Sequence, residues 1–291
     1  MVKNLRGTGV ALVTPFNADR SVDFNGLKNV IEHVITGGVE YLVPLGTTGE
    51  TATLNKEEKK KVFDYVLETN SGRVPVVAGI GGNNTYEIIE TLKDFNTDGF
   101  SAILSVSPYY NKPNQEGIYQ HYTMMADNSP LPIILYNVPG RTGSNMAAET
   151  TLRLAEHQNI IGIKEASGNF DQFMQIIKHK PDDFIFISGD DGITLPMIAV
   201  GADGIISVIG NAFPKDFSEM VRLCLKGDFA TARPIHYKLI DLVNMLFAEG
   251  SPGGIKAFLK ELHICGDTVR LPLANVSDNL YQQIVETVKN Y

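Results

Sequence analysis

Eight short apolar runs recur along the chain, and an amphipathic segment with helical spacing follows each of them. Successive runs start about 20 to 33 residues apart, which suits a strand, a crossover helix and two loops. The runs span residues 9–14, 41–45, 74–79, 102–106, 133–136, 160–164, 184–188 and 204–208. The sixth run is short, rich in β-branched residues and bounded by polar residues, as expected of a strand that is buried on both faces.

Eight strand-helix units without a break predict a (β/α)8 TIM barrel over residues 1–230. A doubly wound open sheet is the alternative, but it usually has a Gly-rich phosphate turn after its first strand. Residues 13–16 (VTPF) do not form such a turn. No low-complexity linker precedes residues 231–291, so we expect a C-terminal helical extension packed on the barrel. Its amphipathic stretches are residues 235–247, 255–262 and 278–288.

The composition disfavours several classes of partner. The chain has a formal net charge of −8 and no dense Lys/Arg block, which disfavours binding to nucleic acid or to an anionic membrane. The N-terminus has no apolar signal-peptide core, and no apolar run is long enough to cross a bilayer, so a cytoplasmic location is expected. Cys224 and Cys265 have no metal or redox spacing and are expected to be reduced thiols.

Lys164 ends the sixth apolar run, which is an unusual place for a lysine. Burial disfavours the charged ammonium, and a neutral amine is a nucleophile towards carbonyl groups, as in Schiff-base enzymes. The alternative is a lysine just past the strand end, with its amine in solvent or paired with Glu165. In a TIM barrel the chemistry gathers at the carboxyl ends of the strands, so the other strand ends bear on this choice.

Residues 46–50 (GTTGE) follow the second strand. Their glycines permit a tight turn with free backbone N–H groups, and the turn is expected to open a helix whose N-terminus favours anions. The hydroxyls of Thr47 and Thr48, beside these N–H groups, would then suit the binding of a carboxylate and the relay of a proton. The alternative is an ordinary helix cap, with threonine as the cap and Glu50 nearby.

Hydroxyl and guanidinium groups follow the fourth and fifth strands. Tyr109 and Tyr110 lie just beyond the fourth strand, and Tyr136 ends the fifth. A tyrosine in this position can relay protons, or it can simply close a layer of the barrel. Arg141 lies in a Pro/Gly-rich turn that suits presentation of a guanidinium to a carboxylate, although a surface ion pair is commoner for an isolated arginine.

The spacing of potential ligands indicates no metal. The six histidines are dispersed and form no HxH or HxxxH pair at a strand end. Asp190 and Asp191 are adjacent on an extended segment and so point apart, which favours a role in a turn or helix cap over a cation site. The remaining interpretation is lysine-based carbonyl chemistry with hydroxyl relays and with neither a metal nor another cofactor.

Four of these strand-end runs together resemble the 4-hydroxy-tetrahydrodipicolinate synthase (dihydrodipicolinate synthase) family of pyruvate-dependent Schiff-base aldolases. The resemblance covers nearly the whole chain, and the runs occur in the same order at matching strand ends. They are residues 46–50 (GTTGE), 108–111 (PYYN), 136–143 (YNVPGRTG) and 162–166 (GIKEA).

The resemblance implies a reaction and a set of catalytic residues. Pyruvate would form an imine with Lys164, and its enamine would attack L-aspartate 4-semialdehyde on the route to diaminopimelate and lysine. Tyr136, Thr47 and Tyr110 would form the proton relay, with Tyr110 supplied by a neighbouring subunit. A homotetramer built as a dimer of dimers is therefore expected.

The same resemblance implies the substrate contacts. Thr47 and Thr48 would hold the pyruvate carboxylate, and the backbone at Gly189 and Ile206 would contact bound pyruvate. Arg141 would meet the carboxylate of the second substrate. An arginine suits a small acidic aldehyde, whereas a sugar-acid lyase needs polyol-binding groups at this place. N-acetylneuraminate lyase or a 2-keto-3-deoxy sugar acid aldolase stays the alternative, and a barrel that only binds or regulates is the alternative outside enzymes.

The resemblance also implies an allosteric lysine site at a subunit interface, with differences at two of its positions. Lys56 and Lys59 stand where lysine-sensitive members often carry other residues, commonly histidine at the first. Two extra cations would repel an incoming lysine, so we expect weak or absent feedback inhibition. The residues of this predicted site are Ala52, Lys56, Lys59, Asn83, Glu87 and Tyr109.

Overall fold

Eight parallel strands surrounded by helices form the body of the protein in a computed structural model that describes residues 5–291. The strands are β1 Gly7–Ala11, β2 Tyr41–Val43, β3 Val77–Gly79, β4 Ala102–Val106, β5 Ile133–Asn137, β6 Ile160–Glu165, β7 Ile185–Ser188 and β8 Gly204–Ser207. The helices are α1 Phe24–Thr36, α2 Lys56–Asn70, α3 Thr85–Lys93, α4 Gln115–Asn128, α5 Pro139–Thr142, α6 Ala148–Ala155, α7 Phe170–His179, α8 Thr194–Ala199, α9 Pro214–Leu225, α10 Phe229–Ala248, α11 Gly253–Glu261 and α12 Asp278–Lys289.

The sheet closes into a barrel. Its strand order is β2-β1-β8-β7-β6-β5-β4-β3, and β2 meets β3 through a parallel bridge between Leu42 and Val76. Two backbone hydrogen bonds complete this seam, from Leu42 N to the Pro75 oxygen and from Gly79 N to the Pro44 oxygen, each 3.0 Å long. The predicted TIM barrel is therefore confirmed, and the open-sheet alternative is wrong.

Several strands are shorter than the apolar runs predict, and next to two of them a side chain accepts the hydrogen bond of a backbone N–H group. Beyond β1, Val13 N donates to Asn211 Oδ1 at 3.1 Å instead of to a neighbouring strand. Before β3, Val74 N donates to Asn70 Oδ1 at 3.2 Å. Residues 12–14 stay buried although they lie outside β1, and residues 74 and 75 are half-buried, so apolar character extends further than the strands.

Side chains fill the interior of the barrel. Tyr41, at the start of β2, is fully buried, and its hydroxyl donates to the Ile205 oxygen at 3.2 Å. Its ring lies over Gly9, where an added Cβ would come within 2.1 Å of a ring carbon, so only glycine fits there. The barrel is thus a packed core that supports a site at one end.

The loop after β2 differs from the prediction. Residues 46–50 do not open a helix but form a 3-10 turn, Thr47–Gly49, which a second turn, Thr51–Thr53, follows. The next helix, α2, begins at Lys56 and is capped by Asn55, which exchanges hydrogen bonds with Glu58 in a capping box. The expectation of threonine as a helix cap is therefore wrong as well.

The C-terminal helices pack against the barrel. Helix α10 lies on α9 and α8, and its apolar stripe is buried within this single chain. The helix begins at Phe229, close to the predicted boundary, while the division into 1–230 and 231–291 stays a prediction. Among residues 5–291, no helix combines the length and apolar character that crossing a bilayer requires.

Candidate active site

Lys164 and Tyr136 are direct neighbours at the carboxyl end of the barrel. The β5–β6 register pairs them, and the Lys164 Nζ lies 4.5 Å from the centre of the Tyr136 ring. Only 5% of Lys164 and 7% of Tyr136 are exposed. The structure therefore holds the amine and the phenol side by side, largely out of solvent.

Glu165 does not pair with Lys164. It lies on the opposite face of β6, fully buried, and accepts hydrogen bonds from Asn137 Nδ2 at 3.0 Å, Gln172 Nε2 at 2.9 Å and Ser167 N at 2.8 Å. Burial raises the pKa of Glu165, and these donors oppose the shift. Within residues 5–291 no carboxylate forms an ion pair with Lys164. The alternative of a solvated or Glu165-paired lysine is thus wrong.

Gly189 leaves space beside the amine. An added Cβ at this position would lie 3.1 Å from Lys164 Cε and 2.7 Å from Ala166 Cβ. Ile206 on β8 is 1% exposed and belongs to the same cluster of inner side chains as Tyr136. The structure thus brings four of the predicted site residues together: Lys164, Tyr136, Gly189 and Ile206.

The two threonines lie in the 3-10 turn that follows β2, at the same end of the barrel. Thr47 is exposed, whereas Thr48 is 6% exposed. The turn is tied to the loop after β1, because Thr14 Oγ1 donates to the Gly49 oxygen at 2.7 Å. The turn can therefore present hydroxyl and N–H groups at a fixed position at the carboxyl end of the barrel.

Arg141 and Tyr110 are exposed residues in the segments that follow β5 and β4. Arg141 is exposed in the short helix α5, and Gly143 caps this helix in a left-handed conformation with φ +74°. Tyr110 also has a left-handed backbone, with φ +76°, and is 88% exposed. This single chain therefore does not bring Tyr110 to Lys164.

The model of the dihydrodipicolinate synthetase family matches residues 4–291. The chain belongs to this family. A 4-hydroxy-tetrahydrodipicolinate synthase of Flavobacterium psychrophilum is 56% identical over 279 residues, which cover 96% of this chain and 95% of the relative.

Solved structures of dihydrodipicolinate synthases agree in fold. The Aquifex aeolicus structure has a TM-score of 0.95 at 40% identity, covering 99% of this chain and 98% of that one. The chloride-inhibited synthase from Acinetobacter baumannii, complexed with pyruvate, has a TM-score of 0.95 at 39% identity, with 98% of each chain covered. The resemblance read from the four runs is confirmed.

The dihydrodipicolinate synthetase fold of this chain also contains a buried ion pair that the sequence did not reveal. Lys256 of α11 is fully buried and pairs with Glu50, the last residue of the 46–50 run. Burial lowers the pKa of Lys256, and the Glu50 carboxylate opposes that shift. The sequence does carry one signal: residues 254–259 (GIKAFL) are apolar apart from Lys256, which is typical of a helix that is buried on every side.

Asp190 and Asp191 serve turns, as expected. Asp190 Oδ1 accepts from Gly192 N at 2.9 Å and caps the 3-10 turn Asp191–Ile193. Asp191 is buried and accepts from Ser207 Oγ and from Val208 N. Burial raises its pKa to about 6. Across residues 5–291, no group of three or more His, Cys, Asp or Glu side chains is arranged to hold a metal ion.

The residues of the predicted allosteric lysine site lie in the segments that follow β2, β3 and β4. Asn83 Nδ2 donates to the Tyr109 oxygen at 3.2 Å, which joins two of them. Lys56 is exposed and lies 3.6 Å from Asp94, while Lys59 is half-buried. Ala52 and Glu87 are exposed. Their role stays a prediction.

Proposed function

We propose that this protein condenses pyruvate with L-aspartate 4-semialdehyde to give 4-hydroxy-tetrahydrodipicolinate, the committed step of diaminopimelate and lysine biosynthesis. The observation that carries the proposal is Lys164: a buried amine without an ion-pair partner among the described residues, next to the Tyr136 ring. The names of the relatives and the pyruvate bound in the Acinetobacter baumannii enzyme support it.

The first half of the reaction would take place on Lys164. Its neutral amine adds to the keto carbon of pyruvate, and water leaves as the protonated imine forms. Loss of a proton from the pyruvate methyl group then gives an enamine. The iminium group takes the place of a metal Lewis acid, because it stabilises the carbanion. Tyr136 and Thr47 would carry the protons that these steps add and remove.

The second half would join the two substrates. The enamine carbon attacks the aldehyde carbon of the semialdehyde. The amino group of that substrate then attacks the iminium carbon, which closes the ring and breaks the bond to Lys164. The exposed guanidinium of Arg141 suits the semialdehyde carboxylate, since a planar fork binds a carboxylate through two hydrogen bonds. Thr47 and Thr48 would hold the pyruvate carboxylate through hydroxyl and N–H groups.

Tyr110 extends the proposal to the assembly. The Tyr110 side chain is 88% exposed and its backbone is left-handed. Such a strained, exposed residue has a function if its side chain enters the site of a second copy of the chain. We therefore expect a homotetramer, built as a dimer of dimers, with Tyr110 completing the relay in a neighbouring subunit. A cytoplasmic location belongs to the same proposal.

Two measurements test this function. The protein is incubated with pyruvate and reduced with borohydride, and the peptides are mapped by mass spectrometry; the expected pyruvyl adduct is on Lys164 and is absent from Lys164→Ala. Turnover of pyruvate plus L-aspartate 4-semialdehyde is then compared with cleavage of N-acetylneuraminate and of a 2-keto-3-deoxy sugar acid. An unlabelled Lys164 peptide overturns the mechanism, and faster cleavage of a sugar acid overturns the substrate assignment.

A further inference from the structure

Glu50 ends the run of residues 46–50 and has no part in the reaction described above. It has a left-handed backbone with φ +53°, and Leu45, just before the run, is left-handed as well, with φ +58°. A residue with a side chain seldom adopts this conformation unless its surroundings hold it there. The turn that carries Thr47 and Thr48 thus lies between two strained residues.

Both oxygens of the Glu50 carboxylate have partners from the C-terminal part of the chain. Oε1 accepts from Lys256 Nζ, and Oε2 accepts from Arg270 N at 2.9 Å. The Glu50 carbonyl oxygen accepts from Thr53 N at 2.9 Å and from Thr53 Oγ1 at 3.0 Å. Glu50 is therefore held by the extension on one side and by its own loop on the other.

Lys256 is equally dependent on Glu50. Its amine is completely buried, donates also to the Thr268 oxygen at 2.9 Å, and lies 4.3 Å from the centre of the Phe16 ring. A buried charge without its partner is strongly unfavourable, so each member of the pair fixes the position of the other.

The pair is connected to the substrate turn through the backbone. Glu50 N donates to the Thr47 oxygen at 3.1 Å, and Gly49 N donates to the Gly46 oxygen at 3.1 Å. A displacement of Glu50 is therefore transmitted directly to Thr47. Misplacing a binding group by about 1 Å can lower the rate by about a hundredfold.

We propose that Glu50 and Lys256 are positioning residues for the carboxylate of the 2-keto acid substrate. They attach the 47–49 turn to helix α11, so that the C-terminal extension takes part in substrate binding. This inference rests on the proposed function, because it assumes that the turn holds that carboxylate.

The test uses a variant that removes both charges together, Glu50→Gln/Lys256→Met, so that no unpaired charge stays buried. Lys260→Met is the matched control: it lies one turn further along α11, and its amine pairs with Asp267 near the surface at 2.9 Å. Glu50→Asp, which keeps the charge but shortens its reach, is measured in parallel and decides the question if the double variant does not fold.

The pyruvate concentration that gives half of the maximal borohydride-trapped adduct is measured for each protein. We expect it to rise about tenfold or more in the double variant, equivalent to about 1.4 kcal/mol of binding, with the adduct at saturating pyruvate close to wild type. Lys260→Met should match wild type. A purely structural pair would lower the melting temperature without changing this concentration, and that result overturns the proposal. Absence of adduct in the wild type would instead overturn the proposed function.

Discussion

The Nζ atom of Lys164 lies 4.5 Å from the centre of the Tyr136 ring, and the two residues face each other across paired strands. Tyr136 can therefore act in two separate ways. The face of its ring attracts a cation, which applies to the iminium that is proposed to form on Lys164. Its hydroxyl can move protons. Removing the hydroxyl while keeping the ring separates these two contributions.

Tyr136→Phe is expected to lower kcat by about 10²- to 10³-fold, because the variant keeps the ring beside Lys164 but has lost the hydroxyl that we propose as a proton relay. Steady-state kinetics with both substrates measure this loss. The adduct with pyruvate should still form on Lys164, only more slowly. Tyr41→Phe is the control, since it removes a hydroxyl from another buried tyrosine of the same inner cluster, at the start of β2. Equal losses in the two variants would argue against a relay by Tyr136.

Tyr110→Phe should reduce activity without destabilising the chain, since 88% of the side chain is exposed in a single chain. A mixing experiment tests whether Tyr110 acts in the site of a neighbouring subunit. In a mixed dimer of one Tyr110→Phe chain and one Lys164→Ala chain, the site of the Tyr110→Phe chain keeps Lys164 and receives an intact Tyr110 from its partner. Random mixing of equal amounts places half of the chains in mixed dimers with one working site each, so about a quarter of wild-type activity should return. If no activity is regained after subunit exchange, Tyr110 does not act across an interface.

The fold could be predicted because its determinants are local. Apolar runs at regular spacing identify the eight strands, and β4 coincides with its run at residues 102–106. One error lies where a distant side chain decides the local structure. Asn211 takes the pairing of Val13, about two hundred positions away, and nothing in the sequence near β1 signals this contact.

The site could be predicted only in part, for a similar reason. Strand ends are local features, so the sequence predicts that Lys164 and Tyr136 lie at the same end of the barrel, as they do in the structure. Glu50 and Lys256 become a pair only when the extension folds back on the barrel, across 206 positions. Lys256 lies in a helix and not at a strand end, so its position in the sequence does not indicate a partner.

Asp191 should make stability depend on pH between about 4 and about 6. Burial raises its pKa from an ordinary 3.8 to about 6, so within this window the folded chain binds more protons than the unfolded chain. By linkage, its contribution to the free energy of unfolding is fully present below the window and is lost as pH rises through it. The loss is about 3 kcal/mol in all, from a shift of about two pKa units.

Asp191→Asn is expected to remove this dependence. Denaturant unfolding of the wild type and of the variant is measured from pH 4 to pH 7, and the difference between the two free energies cancels the other titrating groups. The wild type should lose stability relative to the variant as pH rises to about 6 and then show a constant difference. A difference that grows in favour of the wild type with rising pH would contradict the assignment.

Feedback by lysine is expected to be weak or absent, because Lys56 and Lys59 place two cations beside the predicted allosteric site. Lys56 is 86% exposed, so solvent and salt limit its repulsion of an incoming lysine to less than about 1 kcal/mol. Steady-state assays with increasing lysine measure the inhibition. Lys56→His should lower the lysine concentration needed by a few fold, whereas Lys60→His, which changes an exposed lysine paired with Asp64 on the same helix, should not. Strong inhibition of the wild type by micromolar lysine would show that these two cations do not protect the site.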